Sequence, residues 1–114
     1  MAYPRRGEIY LVRLPGQSKD NKPRPALIVS MDIRNRLAND VIVVPISTTL
    51  RTSPTHVELI EGEGGLDLTS MAKCEQITTL SKPFLIRGPF SGTISPIMMT
   101  EVEKAIQRAL GMVI

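Results

Sequence analysis

The chain has 114 residues, 42% of them hydrophobic, which allows a single domain over residues 1–114 with its own core. One cysteine and one histidine exclude an internal disulfide framework, a Cys-rich zinc site and chemistry that needs two imidazoles. No apolar run approaches the roughly 20 residues that span a bilayer, and no signal-peptide pattern opens the chain. We therefore expect a cytoplasmic protein with no membrane attachment.

The basic residues are concentrated at the beginning of the chain. The formal net charge is +3, yet residues 1–36 hold eight basic and three acidic side chains. Such a segment is typical of a protein that binds a polyanion, most often nucleic acid, although a solvated basic surface is the other interpretation. Aromatic residues make up only 4% of the chain, so base stacking would contribute little. Phosphate contacts and side-chain hydrogen bonds would then carry nucleic-acid binding.

Apolar, β-branched runs predict a series of short strands separated by polar loops. The predicted strands cover residues 8–14, 26–30, 41–46, 56–60 and 70–78, with one or two more within 84–94. Residues 32–36 form a polar break of about one helical turn between the second and third strands. Pro45 cannot donate a ladder hydrogen bond, so we expect it at the end or edge of its strand.

The last segment carries the signals of a helix. Ser95 is a suitable N-cap, Pro96 fits the first helical position, and Gly111 is a suitable stop. Apolar residues recur at helical spacing between them, at Met98, Val102, Ala105 and Ala109. Strands first and a helix last predict an α+β domain, in which a small, strongly curved antiparallel sheet or barrel packs against a C-terminal helix.

Arg24 is the first candidate for chemistry. Pro23 and Pro25 hold it in extended geometry at the mouth of a buried strand, so its guanidinium projects from a rigid base. A fixed guanidinium suits bidentate binding of a phosphate. The alternative is an ordinary surface ion pair with a carboxylate.

Polar side chains at two other strands are further candidates. Ser47, Thr48 and Thr49 follow the strand over 41–46, where hydroxyls can bind phosphate oxygens, relay a proton or simply form a turn. Arg51 extends the same polar edge. Gln76 lies in a strand-like stretch, where an amide can read a base edge or merely face solvent.

The order and spacing of these segments resemble the MazF/PemK toxins over nearly the whole chain. The resemblance is carried by Arg6-Gly7-Glu8-Ile9-Tyr10, Arg24-Pro25-Ala26-Leu27-Ile28-Val29-Ser30, Asp32-Ile33-Arg34-Asn35-Arg36, Val43-Val44-Pro45-Ile46-Ser47-Thr48, Pro54-Thr55-His56-Val57-Glu58 and Cys74-Glu75-Gln76-Ile77. It implies an SH3-like barrel with a C-terminal helix, and a homodimer. It also implies a ribonuclease of a toxin–antitoxin pair that cuts single-stranded RNA without metal or other cofactor, halts translation and is neutralised by a cognate antitoxin.

The resemblance also assigns roles to residues. The family's catalytic arginine falls on Arg24, and its catalytic threonine falls on Ser47, with Thr48 beside it, so either hydroxyl is open as the catalytic group. Lys19 stands where the family's first loop usually has an acidic residue. The positions expected to contact RNA are Ser18, Lys19, Lys22, Arg51, Ser70 and Gln76.

Metal-free RNA cleavage uses the neighbouring 2′-OH as nucleophile and needs two proton transfers and stabilisation of a phosphorane. Arg24 suits the stabilising role but is a poor base, because its pKa lies above about 12. His56, Glu58 and Glu75 are the candidate bases. Two other functions remain open: a gyrase poison like CcdB, whose Trp-Gly-Ile end is absent from this chain, and a family member that binds RNA or antitoxin without cutting.

Overall fold

The computed structural model describes residues 2–15 and 22–112. Within these ranges the chain forms seven strands and two α-helices. In chain order the elements are β1 (Ile9–Val12), β2 (Arg24–Ile28), α1 (Asp32–Leu37), β3 (Asp40–Ser47), β4 (His56–Leu59), β5 (Ser70–Lys73), β6 (Thr78–Ser81), β7 (Leu85–Arg87) and α2 (Pro96–Ala109). No helix of the described residues is long and apolar enough to cross a membrane.

All strands form one antiparallel sheet, in the order β4-β5-β3-β2-β1-β7, with β6 also paired to β3. The sheet is curled but not closed, because β4 and β7 lie at opposite ends of this order. The predicted α+β class is therefore confirmed, and the predicted barrel is only partly formed. β3 is the longest strand. It pairs with β2, β5 and β6, so it determines the positions of these three strands relative to one another.

Both faces of the central strands are buried, which explains why their sequences are continuously apolar rather than alternating. Leu27 and Val44 point to one face, where α2 covers the sheet through Val102 and Ala105. The neighbouring residues point to the other face and form a second core, which contains Val12, Ala26, Ile28, Val41, Val43 and Leu80. The strand period of two residues thus divides one apolar run between two cores.

The predicted strand over 70–78 is in fact two strands with a turn between them. Ile46 pairs with Ala72 and Val43 pairs with Thr78, so three steps along β3 correspond to six steps along its partner. The three extra residues, Cys74–Gln76, form a single 3-10 turn that leaves the ladder. Apolar patterning could not reveal this insertion, because Cys74 is buried as a strand residue would be.

Pro45 lies inside β3, so the prediction that it occupies the end or edge of its strand was wrong. It pairs with Ala26 on one side. On the other side it lies between Val43, the last residue paired to β6, and Ile46, the first paired to β5. The lack of a backbone N–H at Pro45 lowers the stability of the sheet little there, because the ladder is already interrupted at this point.

The C-terminal helix begins as predicted. The hydroxyl of Ser95 accepts a hydrogen bond from the backbone N–H of Met98 at 3.3 Å, and Pro96 is the first helical residue. The backbone N–H and the hydroxyl of Ser95 also donate to the carboxylate of Glu63, at 2.8 and 3.2 Å. These contacts attach the start of the helix to the loop after β4. The segment 84–94 contributes only the short strand β7.

Candidate active site

A cleft of about 420 Å³ opens where the start of β2, the end of β3 and the Cys74–Gln76 turn meet. It brings together six residues singled out from the sequence: Lys22, Arg24, Ser47, Thr48, Thr49 and Gln76. These residues come from segments that are up to 54 positions apart in the chain. Their convergence follows from the antiparallel pairing of β2 with β3 and of β3 with β5.

Arg24 is the first residue of β2 and is exposed in the cleft. Its backbone pairs with Val12 of β1, and Pro23 and Pro25 restrict the chain on both sides. The guanidinium therefore projects from a strand rather than from a mobile loop. This placement agrees with the rigid presentation predicted from the sequence.

Ser47 is the last residue of β3 and is partly buried. Its hydroxyl oxygen accepts a hydrogen bond from the backbone N–H of Thr49 at 3.1 Å. That contact occupies one lone pair and leaves the hydroxyl proton directed elsewhere. Thr48, the next residue, is exposed, and its hydroxyl has no hydrogen bond within the described part of the chain. Ser47 is thus the more firmly positioned of the two candidate hydroxyls.

A second cleft, of about 550 Å³, adjoins the first and is lined by His56, Glu75 and Arg51, among others. The two clefts share Thr49, Lys73 and Gln76, so they form one continuous groove. The 3-10 turn outside the ladder is what carries residues 75 and 76 to this groove. The local interruption of the sheet therefore builds part of the site.

His56 and Glu75 form a hydrogen-bonded pair in the second cleft. The His56 Nδ1 donates to the backbone carbonyl of Arg51 at 2.7 Å, and its Nε2 lies 3.0 Å from the Glu75 carboxylate. The ring is well enclosed, with its side chain 8% exposed. Thr55 donates its hydroxyl to the other carboxylate oxygen at 2.8 Å. The imidazole thus lies between two oxygen partners, the Arg51 carbonyl and the Glu75 carboxylate.

Burial of Glu75 acts to raise the pKa of its carboxyl, but hydrogen bonds from His56 and Thr55 outweigh burial and hold the pKa below its usual value. A carboxylate whose pKa is lower in the folded state stabilises the fold above its unfolded pKa of about 4.3. This contribution is lost as the pH falls through the folded pKa. The side chain is 39% exposed, so solvent screening keeps the effect small.

We therefore expect Glu75→Gln to be less stable than the parent at pH 7 and equally stable once the pH is well below the folded pKa of Glu75. The free energy of unfolding, measured by urea denaturation across this range, checks this. Asp67→Asn, an exposed carboxylate outside both clefts, is the matched control. A stability difference for Glu75→Gln that stays constant with pH would contradict the assigned ion pair.

Some predicted site residues lie elsewhere. Ser18 and Lys19 fall outside the described residues. Ser70 borders neither cleft: it is 2% exposed, and its hydroxyl donates to the Leu68 carbonyl at 2.9 Å. Glu58, one of the candidate bases, is exposed on β4 and also lies outside both clefts. The sequence analysis missed Lys73, the last residue of β5, which borders both clefts.

The basic first third of the chain does not form a uniform positive surface. Arg6 pairs with Glu103 of α2, and Arg34 pairs with Asp40 at 2.7 Å. These contacts neutralise two of the charges that made the N-terminal third basic. Four basic side chains border the two clefts: Lys22 and Arg24 from that first third, and Arg51 and Lys73 from later in the chain.

Neither the thiol nor a metal cluster adds to the chemistry of the described residues. Burial, with the charge of Glu75, raises the pKa of the Cys74 thiol to about 12, so it stays protonated at neutral pH. No group of three or more His, Cys, Asp or Glu side chains that could hold a metal ion occurs within residues 2–15 and 22–112. The groove offers cations, hydroxyls, an amide and the His56–Glu75 pair.

Comparison with solved structures finds the same fold in endoribonucleases from mycobacteria. A structure described as an endoribonuclease from Mycobacterial species is 34% identical, with a TM-score of 0.80 over 98% of this chain and 95% of that one. A second, an endoribonuclease in complex with its cognate antitoxin from Mycobacterial species, is 33% identical, with a TM-score of 0.80 over 97% and 98% of the two chains.

Sequence comparison leads to the same group. Endoribonuclease MazF4 from Mycobacterium tuberculosis is 36% identical over 98% of this chain and 97% of its own length. Endoribonuclease MazF from Staphylococcus epidermidis is 36% identical over 95% and 92%. The family model for the PemK-like, MazF-like toxin of type II toxin–antitoxin systems matches residues 5–110. The resemblance inferred from the sequence is confirmed: the chain belongs to the PemK-like, MazF-like toxin family.

Proposed function

We propose that this chain is an endoribonuclease toxin that cleaves single-stranded RNA at short sequences without a metal ion, and that it thereby halts translation. The observation that carries the proposal is the convergence of Arg24, Ser47 and Gln76 in one cleft of a chain of this family. Arg24 and Ser47 act on the scissile phosphate. Lys22, Arg51 and Gln76 hold the flanking RNA.

Full-length relatives that are endoribonucleases support the activity and favour it over the two alternatives. A gyrase poison like CcdB is further disfavoured by the absence of tryptophan from the chain. A member that binds RNA without cutting is disfavoured by the intact pair of an exposed arginine and a positioned hydroxyl in the same cleft.

The groove suits a single-stranded polyanion. Its cations lie along one open channel rather than around a closed pocket. Aromatic side chains do not line either cleft within the described residues, so bases would be held through hydrogen bonds and not by stacking. Gln76 is half-buried at the junction of the two clefts, where its amide can pair with a base edge.

The reaction we propose is an internal transfer at phosphorus. The 2′ oxygen loses its proton and forms a bond to the adjacent phosphorus, and the bond from phosphorus to the 5′ oxygen breaks. The leaving 5′ oxygen takes up a proton, so the products are a 2′,3′-cyclic phosphate and a 5′-hydroxyl end. The Arg24 guanidinium stabilises the charge that accumulates on the phosphorane oxygens.

Ser47 is our candidate for the catalytic hydroxyl. Its oxygen accepts a hydrogen bond from the Thr49 N–H, a contact that does not use the hydroxyl proton, so that proton is available to donate to a phosphate oxygen. Thr48 is exposed beside it and borders the same cleft. Of the candidate bases, His56 and Glu75 lie in the adjoining cleft.

The partners we propose are a cognate antitoxin and a second copy of this chain in the cytoplasm. A solved relative forms a complex with its cognate antitoxin, which supports a protein inhibitor for this chain. Exposed apolar side chains at the two ends of α2, Ile97, Leu110 and Met112, offer surface for an interface. Analytical ultracentrifugation of the purified protein measures the dimer directly.

The test is incubation of the purified protein with a long single-stranded RNA, in parallel with and without excess chelator, followed by mapping of the 5′ ends. We expect discrete cuts at a short repeated sequence, with 5′-hydroxyl and 2′,3′-cyclic phosphate ends. Intact RNA across all sequences would reject the proposal and leave the non-cutting binder. Cleavage that stops in chelator would reject the metal-free mechanism.

A further inference from the structure

Lys73 occupies the junction of the two clefts. It is the last residue of β5, and its Cα partner across the sheet is His56, the first residue of β4. It borders the cleft that contains Arg24 and Ser47, and also the cleft that contains Arg51. The residue as a whole is partly buried.

Lys73 forms no ion pair with a carboxylate of residues 2–15 or 22–112: no carboxylate oxygen of these residues lies within 4.0 Å of its ammonium. Three of the other basic side chains do form such pairs, Arg6 with Glu103, Arg34 with Asp40 and Lys104 with Glu101. An ammonium at a concave site that is also lined by other basic side chains attracts anions.

The surroundings of Lys73 suit a phosphate next to the one that is cleaved. Thr49 and Gln76 also border both clefts, so a chain that enters the first cleft can continue into the second past these three polar side chains. A strand that places one phosphate at Arg24 and Ser47 and continues toward the second cleft carries its next phosphate toward this junction. The second cleft then receives the nucleotide beyond it.

We propose that Lys73 binds the phosphate adjacent to the scissile one and that the second cleft is the subsite for that flanking nucleotide. This proposal rests on the proposed function, because it requires RNA in the first cleft. An ammonium is a point charge that reads no base. Lys73 therefore contributes affinity and register, whereas the amide of Gln76 contributes base discrimination.

Because this contact is made equally in the bound ground state and in the transition state, its loss raises KM and leaves kcat nearly unchanged. We expect Lys73→Gln to raise KM about tenfold, as for loss of one charge-assisted hydrogen bond, and to change kcat less than twofold. Lys73→Arg keeps the charge and retains most of the affinity. Lys104→Gln on α2, which removes the same charge outside both clefts, is the matched control.

Salt dependence measures the phosphate contact directly. The probe is a short oligonucleotide that carries the mapped cleavage sequence with a 2′-O-methyl group at the scissile position, which prevents cleavage. Each phosphate contact with a single strand contributes about 0.7 to the slope of log K against log salt concentration. Lys73→Gln should lower this slope by about that amount, and Lys104→Gln should leave it unchanged.

Trimming the probe locates the contact. Removal of the terminal nucleotide that fills the second cleft should weaken binding to the parent protein at least as much as Lys73→Gln does. The same removal should weaken binding to the Lys73→Gln variant less than binding to the parent, because the Lys73 contact is already absent. The subsite assignment would be overturned if trimming lowered the affinity of the parent and of Lys73→Gln equally, whichever end of the probe is shortened.

The two proposals fail in different ways. If the parent protein neither cuts nor binds single-stranded RNA, the proposed function is rejected. If the parent cuts and binds but Lys73→Gln keeps the parent's KM and salt slope, Lys73 is not a phosphate contact. A loss of kcat with unchanged KM would likewise overturn the role assigned here. Thermal melting of each variant confirms that the compared proteins are folded.

Discussion

Arg24→Ala is expected to lower the rate of RNA cleavage about 10³-fold, as for removal of a preorganised donor to a developing oxyanion. The residue is exposed at the first position of β2, and none of its side chain belongs to either core. The melting temperature should therefore stay within a few degrees of the parent value, because surface substitutions typically cost about 0.5 kcal/mol or less. Single-turnover cleavage of the mapped RNA and thermal melting measure the two quantities.

Arg24→Lys separates charge from geometry. The ammonium keeps the positive charge but lacks the planar fork that pairs with two phosphate oxygens, so we expect an intermediate rate. Arg36→Ala, an exposed arginine of α1 outside both clefts, is the matched control and should cleave at the parent rate. Parent-like cleavage by Arg24→Ala would remove this arginine from the mechanism.

Ser47→Ala is expected to lower kcat about 10²-fold, within the range for loss of a group that transfers or donates a proton. Thr48→Val keeps the size of the side chain and replaces the hydroxyl with a methyl group. We expect a change of less than about tenfold, because no residue of 2–15 or 22–112 forms a hydrogen bond with the Thr48 hydroxyl. Ser47→Thr should retain activity, since it keeps the hydroxyl. Rates at saturating RNA isolate the chemical step from binding.

The reverse ranking would identify Thr48 as the catalytic hydroxyl. A near-complete loss in Thr48→Val, with Ser47→Ala close to the parent, is the result that contradicts our assignment. Equal decreases of kcat in both variants would mean that the two hydroxyls act together in one catalytic step. The double variant would then be no slower than either single variant. Circular dichroism of each variant checks that the end of β3 remains paired.

Local sequence patterns predicted the order of most elements and most of the polar residues that line the cleft we propose as catalytic. Continuous apolar runs gave the strands, because their residues are buried on both faces of the sheet. Ser95 and Pro96 marked the start of α2, since capping depends on residues close in sequence. Arg24 could be predicted for the same reason: two adjacent prolines and a following apolar strand are all local features.

The tertiary structure decided where the ladder breaks and what the groove contains. Three residues leave the ladder opposite Pro45, and this insertion places Glu75 and Gln76 at the groove. Pairing between distant strands brings Lys73 to the junction of the clefts, and ion pairs with residues 40 and 103 remove two charges from the basic N-terminal third. These outcomes depend on strand register and on contacts across the fold, which local patterns of hydrophobicity and charge do not specify.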